Sequence, residues 1–122
     1  MAAVLDTSVI IELARGNEEV RQRVLESDKE FYITTITKFE LLVGLPKKDE
    51  LMWLDFLERL PFDDKASEVA AYLFRELRKS GKPMALKDLL IGSICIANNM
   101  RLITLDRDFE VLQDFGLQVE FL

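Results

Sequence analysis

Short, wholly apolar runs alternate along the chain with longer stretches in which apolar residues return every three or four positions. Residues 2–5 (Ala-Ala-Val-Leu) form one such run and read as a strand covered on both faces. Residues 8–14 read as a helix opening at Thr7 or Ser8 and stopped by Gly16. A charged helix follows over 18–27, with Val20, Val24 and Leu25 as its apolar positions, and then a second strand from Phe31 to Thr34. Residues 37–45 read as a helix closing at Gly44-Leu45-Pro46, residues 49–60 as an apolar-rich helix, and Leu60-Pro61-Phe62 as a short strand. The clearest period is Ala66, Val69, Ala70, Leu73, Phe74 and Leu77, one face of an amphipathic helix over 66–77 that Ser80-Gly81 ends. Residues 87–98 are apolar almost all round, which predicts a buried helix, and Asn98-Asn99 can stop it in a left-handed turn. The last strands are Arg101–Leu105 and Leu117–Phe121. This alternation predicts a three-layer α/β/α sandwich around a mainly parallel sheet of four or five short strands with right-handed crossovers.

At 122 residues the expectation is a single domain spanning 1–122. The absence of histidine narrows the chemistry most: it removes Ser-His-Asp and Cys-His nucleophiles, histidine general bases and most zinc sites. Cys95 alone cannot form a disulfide or a thiolate cluster within one chain. A net charge of −6 argues against a general electrostatic grip on nucleic acid. No apolar run spans a bilayer, and the start carries no basic region before its apolar residues, so a cytoplasmic address without signal peptide or membrane anchor is expected. Carboxylates, hydroxyls, Lys and Arg remain, with or without a hard metal ion.

In an open parallel sheet, ligands bind beyond the carboxyl ends of the strands. Asp6 directly follows the first strand, Glu40 lies in the first turns of the helix after the second, Asp88 opens the buried helix, and Asp106 follows the Arg101–Leu105 strand with Asp108 two residues on. Thr7, Ser8, Thr35, Thr37 and Thr104 lie beside them. Each acid has an ordinary structural explanation. Asp6 can cap a helix, Glu40 can complete a capping box with Thr37, Asp88 can favour a helix N-terminus, and Asp106 can serve a turn. Four carboxylates at one rim would nevertheless repel one another, and a divalent cation bound by oxygen, Mg²⁺ or Mn²⁺, would relieve this.

Four stretches in order carry a resemblance: Val4-Leu5-Asp6-Thr7-Ser8, Thr35-Ile-Thr-Lys-Phe-Glu40-Leu-Leu-Val-Gly44, Lys87-Asp88-Leu-Leu-Ile-Gly-Ser, and Leu102-Ile-Thr-Leu-Asp106-Arg-Asp108-Phe109. Together they resemble the PIN-domain nucleases, most closely the VapC-like toxins of bacterial and archaeal toxin–antitoxin pairs. The resemblance implies a PIN-like fold and an Mg²⁺- or Mn²⁺-dependent ribonuclease. Asp6, Glu40, Asp88 and Asp106 match its metal-binding catalytic quartet, Thr7 and Thr104 match supporting hydroxyls, and Asp108 matches a less regular ligand. Gly92-Ser93 departs from the Ala-Ala often found there. A housekeeping RNA-processing nuclease of the same family is the alternative role. A phospho-accepting receiver is the rival of another class; it would need an acidic pair after the first strand, where Asp-Thr-Ser stands, and an aspartate ending a central strand, whereas Asp55 lies in a helical pattern.

A phosphate that must reach a concave acidic rim predicts a single-stranded or looped RNA substrate, and the resemblance further implies a homodimer and a small VapB-like antitoxin. Residues 49–60 carry apolar side chains well beyond one helical face, including Trp53 and Phe56, with Leu41, Leu42, Val43 and Leu45 just upstream. These predict an apolar groove for an amphipathic partner segment. Lys38, Lys87 and Arg107 adjoin the acidic motifs, and Arg75, Arg78, Lys79 and Lys82 form a second basic group that is a candidate RNA contact or a solvated helix face.

Overall fold

The computed structural model describes residues 1–44 and 53–122. Five strands, β1 (Ala2–Leu5), β2 (Glu30–Thr34), β3 (Glu58–Leu60), β4 (Arg101–Thr104) and β5 (Val119–Phe121), form one sheet. All its pairings are parallel, in the order β3-β2-β1-β4-β5. The helices α1 (Thr7–Ala14), α2 (Glu18–Ser27), α3 (Thr35–Gly44), α4 (Asp64–Lys79) and α5 (Leu86–Ala97) connect the strands, and a 3-10 helix spans Arg107–Phe115. This is the expected α/β/α sandwich.

Successive strand side chains point to opposite faces, and β1 divides accordingly. Ala3 and Leu5 join a core with Val9, Ile10, Val20, Val24 and Ile33, beneath α1 and α2. Val4 joins the opposite core with Leu73, Leu77, Leu89, Ile91 and Leu102, beneath α4 and α5. A strand buried on both faces must be apolar at every position, which explains the unbroken runs at 2–5 and 102–103. β1 lies between β2 and β4, with Val4 opposite both Tyr32 and Leu102. The chain steps outward from β1 in one direction through β2 and β3, and in the other through β4 and β5. The crevice at this reversal, at the carboxyl ends of β1 and β4, is where an open parallel sheet binds its ligand.

Several boundaries move. α3 begins at Thr35, two residues before the expected start, because Thr34 Oγ1 accepts the Thr37 N–H at 3.1 Å and acts as the cap. Of the helix expected over 49–60, residues 49–52 lie outside the described residues, as does Leu45. Residues 53–56 form a single 3-10 turn, and Glu58–Leu60 are strand, not helix. The outer edge of β2 offers backbone groups that need partners, and Glu58, Arg59 and Leu60 supply them opposite Tyr32, Ile33 and Thr34, so sheet pairing overrides the local helical pattern. The strand expected at 60–62 therefore lies at 58–60. On α4, Leu73 and Leu77 are buried as expected, whereas Phe74 is half exposed. The 3-10 helix lies outside the predicted elements. Its signal is the spacing of Phe109, Leu112 and Phe115, three residues per turn, with Asp106 capping its start and Gly116 in the left-handed conformation (φ 98°) closing it.

Candidate metal centre and active site

Pairing of β1 with β4 builds the centre of the site. The Asp6 N–H continues the ladder by donating to the Ile103 carbonyl at 3.0 Å, which sets Asp6 beside Thr104 across 98 residues of sequence. Asp6 is buried. Although it occupies the N-cap position of α1, its side chain makes no capping hydrogen bond. Its Oδ2 instead accepts the Ser8 hydroxyl at 2.7 Å and the Thr104 hydroxyl at 2.8 Å. Burial raises the Asp6 pKa; these hydroxyls and the adjoining backbone N–H groups oppose that shift without cancelling it.

Glu40 lies well inside α3. It is not the partner of a Thr37 capping box, since the cap is Thr34. Thr7 Oγ1 lies 2.8 Å from Glu40 Oε1 and 2.9 Å from Thr37 Oγ1. A carboxylate only accepts, so the Thr7 proton goes to Glu40. Glu40 Oε2 pairs with Lys87 Nζ at 3.0 Å, and this carboxylate raises the lysine's pKa.

Asp88 sits in the first turn of α5, where the helix dipole favours a carboxylate. Its pKa is nevertheless pushed up to about 6. Burial is the largest cause, followed by the charges of Asp6 and Asp106, with Glu40 adding a little and Lys87 opposing. Asp88 thus senses the other three acids, and the fold brings the quartet to one rim. Asp106 follows β4; its N–H donates to Thr104 Oγ1 at 2.9 Å, and its Oδ1 accepts the Asp108 N–H at 2.9 Å. It is a cap, as the ordinary explanation has it, and a member of the rim as well. Among the described residues, one carboxylate oxygen each from Asp88, Asp106 and Asp108 lie within 4.8 Å of one another, a spacing that can hold a metal ion. Asp108, given a lesser part from the sequence, is therefore placed beside Asp88 and Asp106.

Two features stood out less in the sequence than in space. Ser8 binds Asp6, lies 3.4 Å from Thr104 Oγ1, and accepts the Leu105 N–H at 3.2 Å, so it ties the ends of β1 and β4 together. The Asp-x-Ser spacing was its only sequence signal. The Lys87–Glu40 pair had none, because its partners are remote in the chain. Lys38 is exposed, and Arg107 pairs with Glu110 at 3.0 Å while its guanidinium sits 4.4 Å over the Phe121 ring. Asp55, which a receiver would need at a strand's carboxyl end, is exposed on the 53–56 turn and pairs with Arg59 at 3.3 Å.

A groove of about 500 Å³ opens beside Glu40, between α1 and α3, lined by Ile11, Ala14, Arg15, Leu41 and Gly44 together with Thr7. A second recess of about 330 Å³ is lined by Leu13, Val24, Leu25, Phe31, Trp53 and Leu57, among others. Leu41 and Leu54 belong to the core, and Trp53 packs against it. Leu42, Val43 and Phe56 remain exposed, Phe56 at 87%. The expected apolar groove thus keeps only part of its predicted lining.

Residues 3–114 match the pattern of the PIN domain family. Ribonuclease VapC3 of Methanocaldococcus jannaschii is 48% identical over 94 residues, covering 77% of this chain and 98% of that protein. The fold is similar to that of VapBC2 of Rickettsia felis, solved bound to a DNA fragment from its promoter: TM-score 0.83, 26% identity, 99% of this chain and 98% of that one. VapBC-5 of Mycobacterium tuberculosis, described as a member of the VapBC family of toxin–antitoxin systems, gives a TM-score of 0.75 at 30% identity over 99% of this chain and 97% of that one.

Proposed function

We propose that this chain, which belongs to the PIN domain family, is a divalent-metal-dependent ribonuclease and the toxin of a VapBC-type toxin–antitoxin pair. The observation that carries this reading is the convergence of Asp6, Glu40, Asp88 and Asp106 at the carboxyl ends of β1 and β4. The donor set fits a hard cation: it is all oxygen, and the cluster of Asp88, Asp106 and Asp108 is tight enough to share one ion. Asp88 and Asp106 would hold Mg²⁺ or Mn²⁺ most directly, with Asp108 beside them, Asp6 completing the site and Glu40 acting through water. When bound, the cation supplies charge stabilisation at the scissile phosphate and an activated water. The chain supplies the positioning. Ser8 and Thr104 fix the Asp6 carboxylate, Thr7 fixes that of Glu40, and the Asp108 N–H fixes that of Asp106.

RNA would reach this rim as a flexible single strand or loop. The groove between α1 and α3 ends beside Glu40, so a VapB-like antitoxin segment lying in it could carry a cation to the carboxylates. Tyr72, Phe74 and Leu86, all exposed on α4 and α5, are candidates for a homodimer face. Among the described residues no helix is long and apolar enough to cross a membrane, and we place the activity in the cytoplasm. The test is cleavage of RNA by the purified chain with Mn²⁺. EDTA and Asp6→Asn should each abolish cutting, and Asp106→Asn should lose more activity than Asp108→Asn. Cutting that survives EDTA or Asp6→Asn would refute the site; the reverse order of the last two variants would exchange their roles.

A further inference from the structure

Both oxygens of Glu40 are occupied: Oε1 by the Thr7 hydroxyl at 2.8 Å and Oε2 by Lys87 Nζ at 3.0 Å. These partners differ in their freedom to leave. Thr7 is the buried first residue of α1, held in register by the β1 pairing before it. The Lys87 side chain is 60% exposed on a flexible four-carbon stem. From the first turn of α5 the Lys87 ammonium also feels the charges of Asp88 and Asp6, so its charge acts on the acidic rim beyond Glu40. We propose that Lys87 is a positioning residue, the built-in counter-cation of the acidic site. It holds Glu40 against the neighbouring carboxylates in the metal-free chain, and it competes with the divalent cation for the charge of that rim.

This inference rests on the metal-dependent reading given above. Like charges gathered at one rim raise one another's energy, and a cation within hydrogen-bonding distance relieves this. A divalent ion supplies the same relief, so the two cations are alternatives. Each lowers the gain that the other brings, and the lysine sets how tightly the metal is taken. Removing its charge should therefore strengthen metal binding, whereas a residue that merely supported the fold would weaken binding when lost.

The experiment is a calorimetric titration of Mn²⁺ into the full chain without RNA. Lys87→Met keeps the length of the stem and removes its charge. It should tighten Mn²⁺ binding about tenfold, which corresponds to ~1.4 kcal/mol. Lys87→Arg, which keeps the charge, should stay within about twofold of the parent, well under the tenfold that one charge commands. If the parent binds Mn²⁺ and Lys87→Met binds it no tighter, the role of Lys87 is overturned and the metal reading stands. If neither binds Mn²⁺, both fall together. Should Lys87→Met not fold, Lys87→Gln carries the same expectation and the same refutation.

Discussion

Asp88→Asn isolates the electrostatic cost of assembling the acidic rim. Asp88 is buried, and in the folded chain its pKa stands near 6 against an ordinary 3.8. The folded state therefore binds this proton more tightly than the unfolded state. For a raised carboxyl the penalty is absent below the unfolded pKa, grows as pH rises from about 4 to about 6, and is complete above that. At about 1.4 kcal/mol per pH unit the full penalty is about 3 kcal/mol; partial hydration of the rim reduces it to about 2 kcal/mol. An asparagine has no charge to desolvate or to set against Asp6 and Asp106. In urea unfolding with EDTA at about pH 7.5, the variant should be more stable than the parent by about 2 kcal/mol. At about pH 5 the gap should narrow to about half, because the parent is then partly protonated in the folded state alone. A variant less stable than the parent at the higher pH, or a gap that does not narrow, would refute the account. Either outcome would mean that Asp88 is held by interactions outweighing its burial.

Two further variants probe the packing beneath the site and the surface beside it. A Cβ on Gly92 would collide with the Leu112 side chain, which is fully buried where the 3-10 helix packs on α5. Gly92→Ala should thus destabilise the chain by about 1–3 kcal/mol in urea unfolding, despite alanine's helix propensity; a stabilised variant would show that Leu112 moves aside freely. Phe56, 87% exposed, lines neither recess and probes how far a partner spreads over the 53–56 turn; Trp53 also packs on the core and would confound the test. Phe56→Ser should leave stability within about 0.5 kcal/mol and weaken binding to a VapB-like antitoxin, measured by calorimetry; unchanged affinity would show that the partner does not reach this turn.

The apolar patterning was enough to recover most of the fold. β1 is an unbroken apolar run, and β4 is apolar at Leu102 and Ile103, because both faces of these inner parallel strands are covered, and α5 is apolar almost all round because it is wedged between the sheet, α4 and the 3-10 helix. Asp6 and Asp106 were legible for a related reason: each stands at the first polar opening after such a strand, where an α/β sheet exposes its carboxyl ends. The segment 53–60 was not legible. Its residues suit a helix locally, and only the unpaired edge of β2 makes Glu58–Leu60 a strand.

The sequence alone determined the donor chemistry, since a chain without histidine and with a single cysteine has little but oxygen to offer a hard cation. It also determined which acids end which strands, because the spacing of apolar and polar residues is a local property that survives in any compact fold. Tertiary structure decided the rest. It set the strand order that brings Thr104 to Asp6, joined Ser8 to the end of β4, took Asp106 for a cap as well as for the rim, and paired Lys87 with Glu40. These are meetings between residues distant in sequence. Their energies depend on separations of a few ångströms and on the water excluded around them, and neither quantity exists until the sheet has closed its register.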